Sequence, residues 1–311
     1  MKNIIYLIIA VVAIVSCTEN TQMESAVSVS SGRVERIENF GSDFVKPRNV
    51  DVWLPQGYSD KKMYAVLYMH DGQMLFDSTK TWNKQDWGVD DAMTALLKSG
   101  KIRETIVVGI WNNERRHSEY FPQKPFEMLD EAYRDSLLTH KELFAVEVQS
   151  DNYLKFLVKE LKPFVDAKYS TRANREETFV AGSSMGGLIS MYAICEYPDV
   201  FGGAACLSTH WIGIFNDDNN PIPGKFKEYM AANLPEAKAH KIYFDFGTET
   251  LDAYYEPYQK IADSLMLQNG YDHSNWLTMK FEGENHSEEA WKKRLNIPLE
   301  FLLKKEIEKK R

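Results

Sequence analysis

Residues 178–187 read Thr178-Phe179-Val180-Ala181-Gly182-Ser183-Ser184-Met185-Gly186-Gly187, and an apolar run from Leu188 to Tyr197 follows. The first four residues have the composition of a strand buried on both faces, and the run after Gly187 has that of a buried helix. A strand, a tight turn with glycines around a serine, and a helix in this order make a nucleophile elbow. The glycines let the backbone reverse without a Cβ clash. Such a turn presents the Ser184 hydroxyl at the carboxyl edge of a sheet. It also sets the Met185 amide at a helix N-terminus, where it can face a developing oxyanion.

Outward from the elbow, strand-like segments recur at Arg33–Ile37, Val50–Leu54, Ala65–His70, Thr105–Ile110, Gly203–Leu207, Ile242–Phe246 and Trp276–Phe281. Helical periodicity lies between them, at Val89–Leu97, Tyr153–Leu161, Tyr258–Gln268 and Glu288–Lys305. Several strands are near-continuous apolar runs, as in parallel sheets covered on both faces. The alternation predicts an α/β fold: a doubly wound, mostly parallel sheet flanked by helices, in one domain over 33–311. Ligands in such sheets bind beyond the carboxyl ends of the strands. Residues 111–147 are weakly periodic and read equally as a lid or as a surface excursion with one short helix.

A serine hydroxyl needs a base, and the base needs an orienting acid. Following an elbow, the chain order is serine, acid, histidine. Of seven histidines, only His286 falls in the loop between the last strand and the last helix. The acid is expected after Ile242–Phe246, where Asp252 is preferred and Glu249 is the alternative. The second oxyanion donor is expected after the third strand, in His70-Asp71-Gly72-Gln73, and the Gln73 amide is the candidate beside Met185. Trp82, Trp111, His210 and Trp211 follow strand ends and are candidates for contacting substrate, on a cleft with flat aromatic walls. No CxxC or HExxH occurs, so neither a metal nor another cofactor is expected.

The chain has 311 residues, 44% of them hydrophobic and 26% charged, with a formal net charge of -8. Apart from Lys304 to Arg311 there is no basic run, which argues against nucleic-acid partners. Lys2 and the apolar Ile4 to Val15, closed by Ile14-Val15-Ser16-Cys17, read as a bacterial lipoprotein signal peptide over 1–16. Cys17 is then the lipid attachment site, residues 17–32 are a flexible tether, and the protein is membrane-anchored in the bacterial cell envelope. Cys195 and Cys206 lie in apolar segments, where buried free thiols are the default, and a disulfide between them in an oxidising compartment stays open. Oligomeric state is not legible.

With these residues placed, the chain resembles the esterase D-like family of α/β-hydrolases. That family includes enterobactin and other siderophore esterases and the feruloyl and acetylxylan esterases of carbohydrate esterase family 1. The resemblance rests on Tyr68-Met69-His70-Asp71-Gly72-Gln73-Met74-Leu75-Phe76-Asp77, Val108-Gly109-Ile110 with Asn112, Arg116-His117-Ser118-Glu119-Tyr120, Gly182–Gly187, Glu196-Tyr197-Pro198 and Gly283 through His286 to Trp291. It implies an α/β-hydrolase fold and a serine carboxylic ester hydrolase using Ser184, His286 and Asp252. The acid is its least fixed element, since some siderophore esterases resemble a Ser–His dyad. It implies small-molecule or carbohydrate ester substrates. It also implies either an internal Arg116–Glu119 ion pair or a substrate contact by these two residues. An acyltransferase and a non-catalytic surface binding protein on the same scaffold remain alternatives.

Overall fold

Eight strands hydrogen-bond into one sheet in the order β1-β2-β4-β3-β5-β6-β7-β8. They are β1 (Arg33–Phe40), β2 (Arg48–Leu54), β3 (Ala65–His70), β4 (Thr105–Ile110), β5 (Thr178–Ser183), β6 (Gly203–Leu207), β7 (Lys241–Phe246) and β8 (Trp276–Lys280). β2 runs antiparallel to both of its neighbours, and β4 through β8 are parallel with β3. The doubly wound, mostly parallel α/β-hydrolase sheet expected from the sequence is therefore present. This computed structural model describes residues 27–139, 143–144, 146–216 and 218–305.

Strand alternation divides the core into two layers. Val66 and Tyr68 of β3 and Ile106 and Val108 of β4 face one layer. Leu67 and Met69 of β3 and Val107 of β4 face the other. The second layer is covered by α1 (Val89–Lys98), by α10 (Glu288–Arg294) and by α11 (Asn296–Leu303). The first is covered by α2 (Arg116–Tyr120), α3 (Gln123–Glu127), α4 (Glu131–Thr139), α5 (Ser150–Lys155), α6 (Lys162–Lys168), α7 (Met185–Glu196), α8 (Ile222–Asn233) and α9 (Glu256–Gln268). All residues of α7 from Met185 to Cys195 are buried, which explains its uniformly apolar sequence.

Four expectations are revised. The single helix over Glu288–Lys305 is two helices that meet at Leu295. Pro298 causes the break, because its ring would strike the Arg294 carbonyl in a continuous helix. The Tyr153–Leu161 helix extends in both directions, as α5 and α6 joined by a widened π-turn over Phe156–Leu161. The described residues of 111–147 hold three short helices rather than one, and these are built into the first core layer rather than lying over it. Phe121, Phe126 and Phe144 pack mutually with ring centroids 5.6–6.0 Å apart, and Phe121 reaches Phe226 of α8 at 5.5 Å.

The fourth revision concerns the tether, which reaches residue 32 in the sequence reading. Val27 is buried, and Ser28 N–H donates to Asp77 Oδ2 at 3.2 Å. The Ser30 N–H and hydroxyl donate to Asp90 Oδ2 at 2.6 and 2.8 Å, and Trp53 Nε1 donates to the Ser31 carbonyl at 2.9 Å. Residues 27–32 thus belong to the folded body, held by the Asp77 and Asp90 carboxylates and by the Trp53 indole. The signal peptide and Cys17 lie outside the described residues. Among the described residues no helix is long and apolar enough to cross a membrane. Cys195 and Cys206 are buried and unpaired.

Candidate active site

β5 ends at Ser183 and α7 starts at Met185, so Ser184 alone forms the turn, at φ 58° and ψ -122°. A side-chain-bearing residue rarely adopts this conformation. Its N–H donates to the Leu207 carbonyl (2.9 Å), and its own carbonyl accepts from Gly187, Leu188 and His210 N–H at 3.0–3.2 Å. A Cβ at position 182 would lie 2.7 Å from the Gly186 carbonyl carbon. Glycine is required there because strand and helix backbones touch.

The turn after β3 lies against this elbow. A Cβ on Gly186 would meet His70 Cβ at 3.4 Å and Asp71 Oδ2 at 3.5 Å, and a Cβ on Gly72 would overlap the Gly109 carbonyl carbon at 2.5 Å. The turn carrying Gln73 is therefore wedged between β4 and the first turn of α7. Met185 opens α7, so its N–H has no partner within the helix.

His286 Nδ1 lies 2.5 Å from Asp252 Oδ1. Asp252 is buried, and its Oδ2 accepts from Gly247 N–H and from Ser208 Oγ, both at 2.6 Å. Ser208 Oγ in turn accepts from Trp291 Nε1 (2.9 Å) and Arg294 Nη2 (3.0 Å). The His286 ring stands edge-on to Trp291, with centroids 5.0 Å apart, and the His286 backbone N–H donates to Thr250 Oγ1. An anionic Asp252 selects the Nδ1–H tautomer and leaves the Nε2 lone pair available. Glu249 is exposed, so of the two candidate acids the fold brings Asp252 to the histidine. No hydrogen bond joins Ser184 Oγ to His286 in this conformation; such contacts often close only when substrate is bound. His210 links the two, because its N–H holds the Ser184 carbonyl. Its ring Nδ1 pairs with Tyr255 Oη at 2.7 Å, and Tyr255 flanks His286 at 5.9 Å.

The tryptophan candidates are largely redirected. Trp211 is buried, donates to Gln259 Oε1 (3.0 Å) and packs on Phe244, so it is a core residue. Trp111 donates to Asp51 Oδ2 (2.9 Å) beneath the Arg36 guanidinium, which turns it toward the β1–β2 edge. Its partner Asp51 is a buried carboxylate on β2 that also accepts from Arg36 at 2.7 and 2.8 Å, and the indole adds a third donor to that pair. Trp82 is 83% exposed, on a loop tied to α10 by Asn83 Nδ2 and Glu288 Oε2 at 2.8 Å. The Arg116–Glu119 pair does not form. Glu119 is paired bidentately with Arg48 of β2 at 2.8 and 2.7 Å, both buried, and Arg116 grips Asp71 with two bonds of 2.7 Å. Ser208 and Tyr255 escaped the sequence reading; only the nearness of Trp291 to His286 in the chain hinted at a supporting shell.

Three histidines near the site, His70 and His210 buried and His117 half-buried, are held neutral. Desolvation pushes His70 down to about 3 and His117 down to about 4, and drives His210 well below the ordinary range, with Arg116 opposing the charge on all three. Below pH 6.5 the unfolded chain takes up protons that the folded chain refuses, so stability falls as pH drops. Each histidine contributes up to about 1.4 kcal/mol per pH unit. Urea unfolding is expected to show this loss between about pH 6.5 and 5, above the ordinary carboxylate range; a flat profile there would contradict the burial of these rings.

A family model described as "Putative esterase" matches residues 42–301. The chain belongs to this family. The uncharacterized protein YbbA of Bacillus subtilis is 25% identical over 166 residues, which is 53% of this chain and 58% of that protein, less than two thirds of its length. Among solved structures, the CE1 ferulic acid esterase AmCE1/Fae1A of Anaeromyces mucronatus is 20% identical with a TM-score of 0.61, over 92% of this chain and 94% of that one. The enterobactin esterase FES of Shigella flexneri is 16% identical with a TM-score of 0.61, over 89% of this chain and 60% of that one. At these identities the two structures show a shared fold.

Proposed function

We propose that this esterase works through Ser184, His286 and Asp252 by way of an acyl-enzyme. The observation that carries the reading is the 2.5 Å contact of His286 with a buried Asp252, on the loops that follow the elbow in the expected order. Ser184 Oγ attacks the ester carbonyl carbon while His286 Nε2 takes its proton, and Asp252 stabilises the imidazolium. The Met185 and Gln73 N–H groups receive the carbonyl oxygen as it becomes an oxyanion. The tetrahedral species collapses, the carbonyl–alkoxide bond breaks, and His286 protonates the departing alcohol. Water, deprotonated by His286, then attacks the acyl carbon and releases the acid and Ser184.

The substrate class we assign is a feruloyl or acetyl ester of a carbohydrate, or a siderophore ester. The names of the structural relatives support it, as do exposed aromatic faces at Trp82, Phe215 and Tyr254, two of them beside the His210–Tyr255 pair. With Cys17 as the lipid attachment site, the enzyme is anchored in the bacterial cell envelope. One experiment tests both parts. A fluorophosphonate probe applied to fractionated cells should label the membrane-bound protein at Ser184, and Cys17→Ala should move the labelled band to the soluble fraction. An unlabelled protein would favour the binding-protein alternative, and a labelled Cys17→Ala protein that stays in the membrane would remove the anchor. A panel of methyl ferulate, acetylated xylan and enterobactin separates the substrates. Diversion of the acyl group to added glycerol or sugar would favour an acyltransferase.

A further inference from the structure

We infer that Asn112 and Arg116 are positioning residues that set the second oxyanion donor, Gln73, through a clamp on Asp71. This rests on the serine-esterase reading above and adds what that reading lacks: a reason for the Gln73 amide to hold its place. Asp71 sits in the left-handed region, at φ 58° and ψ 44°, where a non-glycine residue stays only if its surroundings hold it. Two residues later comes the amide that must meet the oxyanion. Restraints on this turn converge from one segment, 112–120. Arg116 Nε and Nη2 donate to the two carboxylate oxygens of Asp71, both at 2.7 Å, and Asn112 Nδ2 donates to Asp71 Oδ1 at 2.5 Å. Asn112 N–H donates to the Gln73 side-chain oxygen at 3.1 Å, and Asp71 N–H donates to Tyr120 Oη at 3.3 Å. The Arg116 guanidinium lies over the Tyr120 ring at 5.2 Å, which fixes its plane.

The clamp acts at the elbow itself, since Asp71 Oδ2 lies 3.5 Å from where a Gly186 Cβ would be. Contact between Gly72 and Gly109 stops the turn from sinking toward β4. What keeps it from relaxing the other way, out of the left-handed state, is the grip on the carboxylate. Burial works against the charge on Asp71, yet Arg116 and Asn112 hold its carboxyl below the usual range. The Arg116 charge is thereby spent on Asp71 rather than offered to substrate. A planar fork bonded to both oxygens fixes direction as well as distance, which a lysine ammonium cannot do. The start of the 111–147 excursion is thus a buttress of the oxyanion turn.

The test uses p-nitrophenyl acetate, a neutral ester with no charge for Arg116 to bind. Arg116→Ala is expected to lower kcat about 10²-fold, the size of losing one oxyanion donor, while KM changes less than about twofold. Arg116→Lys should not restore kcat, and added guanidinium ion should recover part of it in Arg116→Ala. Asn112→Ala should lose kcat about tenfold, again without a KM change, and it stands in should Arg116→Ala not fold. Asp71→Asn added to Arg116→Ala should cost nothing further, because one unit has already been broken. A loss confined to KM would make Arg116 a substrate contact and overturn the clamp. So would kcat within about threefold of wild type in the two single variants. If the wild type itself takes no fluorophosphonate label, the esterase reading fails and the clamp with it; a labelled wild type with unaffected variants removes the clamp alone.

Discussion

Replacing Ser184 by alanine is expected to lower kcat toward p-nitrophenyl acetate by about 10⁶-fold, the scale seen when a serine nucleophile is removed from an intact triad. The thermal midpoint should scarcely move. Among the described residues Ser184 Oγ makes no hydrogen bond, and the backbone bonds that fasten the elbow, from Ser184 N–H to Leu207 and from Gly187, Leu188 and His210 to Ser184, do not involve the side chain. Activity within tenfold of wild type would remove Ser184 from the mechanism. A companion variant makes the physics sharper. At φ 58° and ψ -122° any Cβ is strained, so Ser184→Gly should be equally inactive yet more stable than Ser184→Ala by about 1 kcal/mol. Chemical denaturation compares the two directly. The strain is then a feature kept for the sake of an outward-facing hydroxyl, because the same turn built on glycine would fold better and do nothing.

How far the site could be read from the chain depends on how local its determinants are. The elbow was legible because its constraints are local: the Cβ of residue 182 would overlap Gly186, four positions on, and α7 is buried on every side. His286 was legible from its place after the last strand. The acid was not fully so, since Glu249 and Asp252 share one loop and differ only in which side of a short 3₁₀ turn, Thr250–Tyr254, each occupies. The tryptophans misled for a different reason. Whether Trp111 faces a cleft is decided by the Arg36–Asp51 pair, whose buried carboxylate lies sixty positions away in the chain and accepts from the Trp111 indole. Likewise, the spacing of Arg116 and Glu119 suggests a pair. Each found a stronger partner from another strand or turn, Asp71 for Arg116 and Arg48 for Glu119. Residues 111–147 gave little periodicity because five-residue helices such as α2 and α3 are too short to show any, and ring packing rather than helix propensity holds them.

The acid is where geometry and chemistry can be set against each other most cleanly. Asp252→Asn is expected to lower kcat about 10⁴-fold, whereas Glu249→Gln should stay close to wild type because its side chain is in solvent. The asparagine keeps the shape, and with its single oxygen in the place of Oδ2 it can still accept from Gly247 N–H and Ser208 Oγ, as the carboxylate does at 2.6 Å. What changes is the group facing His286 Nδ1. With the oxygen held in the Oδ2 place, Nδ2 donates to Nδ1 and forces the proton onto Nε2, where it faces Ser184; with the oxygen on His286 instead, the favoured tautomer survives without a charge to stabilise the imidazolium, and Nδ2 confronts the Gly247 and Ser208 donors. Both routes disable the base while leaving the fold intact. Ser208→Ala then discriminates between them. Removing its donor to Oδ2 frees that atom in the wild-type carboxylate, and the loss should be small because both oxygens are equivalent. In the Asp252→Asn background it removes a preference for which end of the amide points inward, and the two changes should be non-additive. Equal and mild losses in Asp252→Asn and Glu249→Gln would instead mean that Ser184 and His286 work as a dyad, with Asp252 serving only to hold the loop.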